Sequence, residues 1–405
     1  MVVDRRAREA IRSGALSVFA PAVRRIRGRF RPGDVVRVET GSGELLGHAF
    51  AQASDRDIRS GRSPGIVARI FDPRGEYPDR SPDEIVLERI RERYRERKRW
   101  RVDRHRNHMR VVFSEADALP GLIIDKFNDL AVFQTTCPAM ERIVLRHAEE
   151  LLEILDVETL YEKNDSRKRR QLGMEVRKRT VAGEDRSSTI VEEYGVRFHV
   201  DVERGQKTGF YIDQVENRGE VQRLVREGDR VLDVFSYVGG FAIHAAVGGA
   251  EEVVGIEKFD RIVEAAYENA TLNEVRDRVK FLIGDAFALL ERLERRGERF
   301  DVVILDPPAF VTSREHLERG KRAYFDVNYK ALGLVRDGGL FVTCSCSHFL
   351  EPDDFVRIVS EAARRRGLRL RMLGPLRGQP PCHPIVPGNP DTQYLKAMFC
   401  TVERT

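Results

Sequence analysis

The stretch "RVLDVFSYVGGFAIHAAV", residues 230–247, decides the fold. It has the pattern of an apolar strand that ends in an acid, Asp233, followed by a loop with two glycines and an apolar helix. Gly239 and Gly240 carry no side chain, so the backbone there can approach a ligand closely. The G-x-G-x-x-G spacing of dinucleotide sites is missing. The stretch therefore predicts the first ligand-binding loop of an α/β sheet without identifying the ligand.

Three later strands also end in an acid. "EVVGIEKF" (252–259) contains Glu257, "VKFLIGDAF" (279–287) contains Asp285, and "FDVVILDPPAF" (300–310) contains Asp306. One acid at such a place is usually a helix N-cap. Four in succession favour a binding site, since open α/β sheets bind ligands at the carboxyl ends of their strands. Glu257 is suited to two ribose hydroxyls and Asp285 to an adenine amine.

The rest of the chain suggests three domains. From residue 190 onward, strands and helices alternate, which predicts a doubly wound parallel sheet. Residues 1–76 have the pattern of a β-rich domain, with an amphipathic helix within "IRSGALSVFAPAVRRI" (11–26). "SPDEIVLERIRERYRERKRW" (81–100) predicts a charged helix with Ser81 at the N-cap. Residues 109–162 then predict three strands, a helix and a strand.

Charge and composition narrow the class of protein. Residues 1–110 hold 27 Lys and Arg against 16 Asp and Glu, whereas residues 201–405 hold 30 against 32. A basic front end, with a further basic run at 166–180, favours contact with a polyanion such as RNA. An ordinary ionic surface is the alternative. No apolar run is long enough for a membrane helix, and no secretory leader is evident, so we expect a cytoplasmic protein.

Two cysteines stand close together in "VTCSCSHF" (342–349), the expected fifth strand of the sheet. Cys344 and Cys346 are small enough to pack at a strand end. They are also candidate zinc ligands with His348 and the later Cys382–His383 pair, although the spacing is not that of zinc sites. The third interpretation is a nucleophile beside the Asp306 loop. One reaction that requires such a nucleophile is methylation at carbon 5 of a cytosine, in which a thiolate first adds to carbon 6.

The acid pattern resembles that of the S-adenosylmethionine-dependent methyltransferases of the Rossmann-like class. "KTGFYIDQVENR" (207–218) is similar to the segment that closes over the cofactor in RNA-modifying members. The whole chain resembles the ribosomal large-subunit methyltransferase I family, the PUA-domain-containing 23S rRNA cytosine-5 methyltransferases. The stretches that carry this resemblance are "SVFAPAV" (17–23), "VFSEADALPGLIIDKFNDLAVFQ" (112–134), "DVFSYVGGF" (233–241), "LDPPAF" (305–310), "SCSHFL" (345–350) and "HPIVPGNPDTQYLKAMF" (383–399).

This resemblance implies an α/β fold class, with a PUA-like β-barrel at 1–76, a small α/β central domain at 77–190 and a Rossmann-like methyltransferase domain at 191–405. It implies S-adenosylmethionine as cofactor and 23S rRNA as partner. A homodimer is compatible with it, and the cysteine spacing and the hydropathy lead us to expect neither a metal nor a membrane. The family's "SCS" motif makes Cys346 the catalytic cysteine, with Asp306 and Pro307 facing the base. The expected cofactor-binding residues are Phe210, Asp213, Asp233, Phe235, Ser236, Gly239, Gly240, Glu257, Asp285, Ala286 and Asp306.

Two other functions stay open at this point. One is methylation of a base nitrogen in rRNA or tRNA, although "DPPAF" carries its aromatic residue one place later than the motif that orients an exocyclic amine. The other is a non-catalytic RNA-binding protein with a relic methyltransferase fold. Ala309 stands where the family usually has a lysine, and "SVFAPAV" lacks the family's tryptophan. Pro308 occupies the place of a second cysteine in many related enzymes, so the base that removes the carbon 5 proton is unidentified.

Overall fold

A computed structural model describes residues 1–63 and 65–405. The chain forms two compact units, which are interleaved in sequence. Unit 1 contains Met1–Val191, Val200–Ile212 and Pro381–Thr392, and unit 2 contains Glu192–His199, Asp213–Pro380 and Gln393–Thr405. The expected boundaries at residues 76 and 190 stay a prediction.

The first part of unit 1 is a six-stranded sheet. Its elements are β1 (Val2–Val3), α1 (Arg5–Arg12), β2 (Ser17–Phe19), β3 (Val23–Arg25), β4 (Val35–Glu39), β5 (Leu45–Ala51), α2 (Asp55–Arg59) and β6 (Ile66–Asp72). The strands lie in the order β2-β6-β5-β4-β1-β3. Their apolar side chains, among them Val38, Ala49 and Ile70, form one buried core. The β-rich pattern of residues 1–76 is confirmed, and most of its strand residues lie in β4, β5 and β6.

The helix expected within residues 11–26 is wrong. Helix α1 ends at Arg12, and Gly14 follows with a positive φ of 105°. The rest of the stretch forms β2, a 3-10 turn at Ala20–Ala22 that begins next to Pro21, and β3. Left-handed glycine and proline both interrupt an α-helix, so the apolar residues that looked helical in spacing pack as strands.

The second part of unit 1 is a five-stranded sheet with flanking helices. It contains α3 (Pro82–Arg99), β7 (His108–Phe113), β8 (Leu122–Phe127), β9 (Leu130–Thr135), α4 (Pro138–Arg146), α5 (Ala148–Leu155), β10 (Thr159–Asn164), α6 (Arg167–Gln171) and β11 (Arg177–Gly183). The strand order is β11-β10-β9-β8-β7. The predicted start of α3 is confirmed, because Ser81 and Glu84 form a reciprocal capping box there.

Unit 2 is built on a seven-stranded sheet. After the hairpin β12 (Ser188–Glu193) and β13 (Val196–Asp201), through which the division between the units runs, the elements are α7 (Val215–Leu224), β14 (Arg230–Val234), α8 (Gly240–Val247), β15 (Glu252–Glu257), α9 (Asp260–Leu272), β16 (Val279–Ile283), α10 (Ala286–Arg295), β17 (Phe300–Leu305), α11 (Leu317–Leu332), β18 (Val335–Ser345), α12 (Pro352–Arg365), β19 (Leu368–Met372) and β20 (Lys396–Arg404). The strand order is β16-β15-β14-β17-β18-β20-β19.

The alternation expected for this sheet is confirmed with one correction. The five neighbouring strands β16, β15, β14, β17 and β18 are parallel to one another. Strand β20, in contrast, runs antiparallel to both β18 and β19. In the parallel part, Val234 lies opposite Leu305, and Leu305 lies opposite Thr343. The carboxyl ends of β14, β17 and β18 therefore meet at one edge. Among the residues described, no helix is both long and apolar enough to cross a membrane.

A buried ion pair stabilises unit 1. Arg110 on β7 donates from Nε and Nη2 to the two carboxylate oxygens of Asp125 on β8, each at 2.8 Å, and Thr208 Oγ1 donates to the same carboxylate at 2.6 Å. We expect Asp125→Asn to lower the free energy of unfolding by about 3–5 kcal/mol, because the variant keeps the buried Arg110 charge and removes the carboxylate charge that faces it. Urea denaturation followed by circular dichroism measures this loss.

The matched control is Glu9→Gln, which breaks the exposed Arg5–Glu9 pair on α1. Exposed pairs add little to stability, so the urea midpoint should not move. Equal midpoints for Asp125→Asn and Glu9→Gln would show that the buried pair contributes nothing.

Candidate active site

The loop between β14 and α8 has a strained backbone. Phe235, Tyr237 and Gly239 have positive φ values of 68°, 50° and 83°, and such a conformation is unfavourable for side chains larger than glycine. The amides of Phe235 and Ser236 both donate to the carbonyl oxygen of Ile256 at 3.0 Å, which holds the loop against β15. Strain of this kind concentrates where a ligand is bound.

Asp233 is a buried carboxylate behind this loop. Its Oδ2 accepts a hydrogen bond from the backbone N–H of Ala242 at 3.0 Å. Its Oδ1 is also buried and has no hydrogen-bond partner among the residues described. Burial, together with the charges of Asp306 and Glu257, raises the pKa of Asp233 to about 8. A buried oxygen without a partner, in a place that disfavours negative charge, fits a cationic ligand group.

Glu257 ends β15 and shapes the neighbouring loop. Its Oε2 accepts from the backbone N–H of Tyr237 at 3.1 Å, and its Oε1 accepts from that of Lys258 at 2.7 Å. The residue is half-buried, so a ligand can still reach the carboxylate. The side chain of Phe259, two residues later, is 55% exposed.

Asp285 lies at the N-terminus of α10, two residues beyond the end of β16. Its Oδ1 accepts from the backbone N–H of Ala288 at 3.2 Å, which is an ordinary N-cap. Asp285 is therefore a helix N-cap, and its expected contact with an adenine amine stays a prediction. Ala286 is buried, and Ile283 at the end of β16 is 50% exposed. Phe259 and Ile283 are thus exposed apolar residues next to strand-end acids, and the sequence pattern did not single them out.

Asp306 and Pro307 follow β17, and Cys346 follows β18. The backbone N–H of Asp306 donates to the carbonyl of Val234 at 3.3 Å, which ties this loop to the end of β14. The Sγ of Cys346 lies 3.9 Å from the carbonyl oxygen of Pro307. Cys346 is half-buried, whereas Cys344 is fully buried. Burial raises the pKa of Cys344 well above its usual value, and the nearby Asp306 charge adds to this effect.

A polar network holds the turn that carries Cys346. The hydroxyl of Tyr324 on α11 lies 2.9 Å from the hydroxyls of both Ser345 and Ser347, which flank the cysteine. Ser347 Oγ also accepts from the backbone N–H of Val311 at 3.1 Å. Lys396 Nζ donates to the backbone carbonyl of Ser347 at 2.6 Å. The sequence pattern did not single out Tyr324 or Lys396, because each comes from an element distant in the chain.

Most of the predicted site residues meet in unit 2, along the edge where the strands end. Asp213, also in unit 2, accepts a hydrogen bond from the Tyr394 hydroxyl at 2.7 Å through its Oδ2. Phe210 belongs to unit 1, where its ring centroid lies 6.0 Å from that of His108. Among the residues described, no group of three or more His, Cys, Asp or Glu side chains is arranged to hold a metal ion.

Comparisons with known proteins agree with this geometry. Residues 166–398 match the family model of S-adenosylmethionine-dependent methyltransferases, and residues 1–70 match that of the PUA domain. The chain is 34% identical to a Methanocaldococcus jannaschii protein named "Putative ribosomal RNA large subunit methyltransferase", over 99% of this chain and 97% of that protein. It is 32% identical to the Escherichia coli "Ribosomal RNA large subunit methyltransferase I", over 95% and 94% of the two chains.

The solved structures include a similar fold at lower identity. A chain described as "a putative sam-dependent methyltransferase from Streptococcus mutans" superposes with a TM-score of 0.81 and 18% identity, over 99% of each chain. S-adenosylmethionine carries a sulfonium and an ammonium group, and both are cations. The partnerless oxygen of Asp233 and the acids at the neighbouring strand ends fit such a molecule.

Asp233 should make the affinity for S-adenosylmethionine depend on pH. A bound cation favours the charged carboxylate, so binding lowers the pKa of Asp233 from its value of about 8 and releases a proton. The affinity should therefore fall by up to about 10-fold per pH unit as the pH drops below about 8. Isothermal calorimetry in buffers of different ionisation enthalpy measures both the affinity and the released proton.

Asp233→Asn removes the titrating group and should remove this pH dependence. Asp285→Asn is the control, because asparagine also caps a helix and Asp233 is left in place. If the wild-type affinity were constant between about pH 6.5 and 8.5, the assignment of Asp233 to the cofactor would be wrong.

Proposed function

Because this chain belongs to the S-adenosylmethionine-dependent methyltransferases, within the family of the ribosomal large-subunit methyltransferases I, we propose that it methylates carbon 5 of a cytosine in 23S rRNA. The proposed nucleophile is Cys346. The relatives' names supply the class of RNA, and the site supplies the reason to choose carbon 5.

The observation that carries this choice is the contrast between the two cysteines. Cys346 stands one residue beyond the end of β18, half-buried and beside the Pro307 carbonyl. Cys344 is enclosed, and its thiol is held neutral by burial. An attacking thiol must be ionised and accessible. Of the two, Cys346 alone meets the second condition.

The chemistry follows from the position of the thiol. The thiolate of Cys346 adds to carbon 6 of the cytosine, and the electron pair of the 5,6 double bond moves toward carbon 5. S-adenosylmethionine, when bound, would supply the methyl group for carbon 5, and the bond from this methyl to the sulfonium sulfur would break to leave S-adenosylhomocysteine. A base then removes the proton from carbon 5, the double bond re-forms, and the bond between Sγ and carbon 6 breaks. Each bond that the cysteine forms is thus broken again before release.

The loop after β17 is suited to orient the base. A cytosine has to leave its stack before its carbon 5 can be reached. In the proposed pose, the carboxylate of Asp306 and the backbone carbonyl of Pro307 accept hydrogen bonds from the exocyclic amine. Both groups lie at the same strand-end edge as Cys346. Acceptors at this place favour cytosine over uracil, which presents an oxygen there.

RNA is the proposed partner of the PUA-like region and of the basic run as well. The run forms α6 and β11 in unit 1. The exposed Arg167 and Arg170 form no ion pair with any residue described. Free guanidinium groups are suited to phosphate contacts. A homodimer and a cytoplasmic location stay predictions.

Cys346→Ala should abolish methylation of the rRNA and leave S-adenosylmethionine binding unchanged, because the thiol acts on the base and not on the cofactor. Mass-spectrometric mapping of methylated nucleotides, with and without the enzyme, measures this. RNA with 5-fluorocytosine at the target should form a stable adduct, since fluorine cannot leave carbon 5 as a proton does. The peptide carrying the adduct should contain Cys346.

Cys344→Ala is the matched control and should retain activity. A Cys346→Ala protein that still methylates would favour the alternative of a base nitrogen. If the wild-type protein neither bound the cofactor nor methylated RNA, the alternative of a non-catalytic RNA-binding protein with a relic methyltransferase fold would be favoured.

Arg167→Ser with Arg170→Ser should weaken RNA binding at every sequence, because these side chains are proposed to contact phosphates. A plot of log affinity against log salt has a negative slope, and each lost phosphate contact makes this slope less steep by about 0.7 to 0.9. The slope of the double variant should therefore be less steep by roughly 1.4 to 1.8. Filter binding at a series of salt concentrations measures the slope.

The control is Arg364→Ser with Arg365→Ser on α12. Both arginines are already paired with Glu361. Their loss should leave the slope unchanged. An equal decrease in both double variants would point to a general charge effect and not to a binding site in the basic run.

A further inference from the structure

We propose that Lys396 is a positioning residue that favours the thiolate of Cys346 and holds the turn on which this cysteine stands. The inference rests on the proposed role of Cys346. It assigns to the catalytic centre a lysine from the last strand of the sheet, 50 residues further along the chain.

Lys396 begins β20 and lies directly opposite Ser345 in the antiparallel pair of β18 and β20. Its side chain is buried. Its Nζ donates to the backbone carbonyl oxygens of Ser347 at 2.6 Å and Leu350 at 2.8 Å. Both carbonyls belong to the turn that starts at Cys346. The lysine therefore fixes the backbone on which the thiol is carried.

The charge of this lysine lacks a carboxylate partner. Lys396 forms no ion pair with any residue described, and two carbonyl dipoles are its hydrogen-bond acceptors. Burial lowers the pKa of Lys396 to about 8, while the charges of Cys346 and Glu351 act in the opposite direction. A buried ammonium is unfavourable without a nearby anion. A thiolate at Cys346 would supply such an anion in addition to the Glu351 carboxylate, which forms no ion pair with this lysine among the residues described.

The other charges around Cys346 make such a cation necessary. The Asp306 carboxylate raises the pKa of both Cys344 and Asp233, so it disfavours a further negative charge at this edge. Tyr324 is neutral at physiological pH, since burial and the Cys346 charge raise its pKa to about 12. A thiolate here therefore needs a compensating positive charge. Lys396 is placed to give it, while the thiol proton leaves to solvent.

A second lysine in unit 1 provides a matched comparison. Lys126 is also buried, its Nζ donates to the backbone carbonyls of Leu155 and Asp156, and burial lowers its pKa to about 8. The charges that act on Lys126 are those of Asp156, Lys98 and Asp129, whereas a thiol, Cys346, acts on the charge of Lys396. A purely structural role would make them equivalent.

The test is the rate of alkylation of Cys346 by iodoacetamide in the full chain as a function of pH, read by peptide mass spectrometry. The other four cysteines are buried. In the wild-type protein the midpoint should lie below the value of about 8.5 for a free cysteine. Lys396→Met should raise it by about one unit, so that alkylation at neutral pH slows about 10-fold. Lys396→Arg should keep the lower midpoint, and Lys126→Met should not change it.

A displaced turn changes the maximal rate of alkylation, whereas loss of the charge moves the midpoint, so the two effects are separable. A wild-type midpoint at or above that of free cysteine overturns the proposal, whether or not Lys396→Met folds. So does an unchanged midpoint in a folded Lys396→Met protein. Failure of the proposed function is a different result, namely methylation by Cys346→Ala.

Discussion

The parallel pairing of β14 with β17 and of β17 with β18 is the constraint on which the site depends. It places the ends of three strands, separated by long stretches of chain, at one edge of the sheet. The hydrogen bond from the Asp306 amide to the Val234 carbonyl closes that edge between two of them. The acids, the strained loop and the cysteine lie close together because each follows the end of one of these strands, and the strand register aligns those ends.

Such an edge is electrostatically unfavourable while it lacks a ligand. Asp233, Glu257 and Asp306 are close enough that the latter two act on the pKa of the first. The loop after β14 adds backbone strain at Phe235 and Tyr237. Both features destabilise the protein, and the apolar core beneath the sheet offsets them. A cationic cofactor reduces the repulsion between these carboxylates when it binds. The same charges therefore destabilise the protein without the cofactor and contribute to the affinity for it.

The two cysteines of the "SCS" region show how one strand end can separate similar side chains. Cys344 is still within β18 and is packed on all sides, so it behaves as a small apolar residue. Cys346 is beyond the strand, where the chain turns away and one side is accessible. Ser345 and Ser347 bind Tyr324 from either side of it. Hydrogen bonds to Tyr324 and Lys396 therefore hold the turn in place, while the thiol of Cys346 is left accessible.

The sequence by itself determined the local elements and the chemical character of the edge. Apolar strands ending in acids, the glycines of the first loop and the capping residues of α3 are short-range signals, and each appears where it was expected. It failed at residues 11–26, where helical spacing was overridden by Gly14 and Pro21, and at β20, whose antiparallel direction no local pattern encodes.

Only the tertiary structure decided which cysteine is enclosed, that Asp285 also caps α10, and that Tyr324 and Lys396 hold the Cys346 turn. The physical reason is that burial and hydrogen-bond partners depend on strand register and on contacts between elements far apart in the chain, whereas periodicity and capping depend on neighbours.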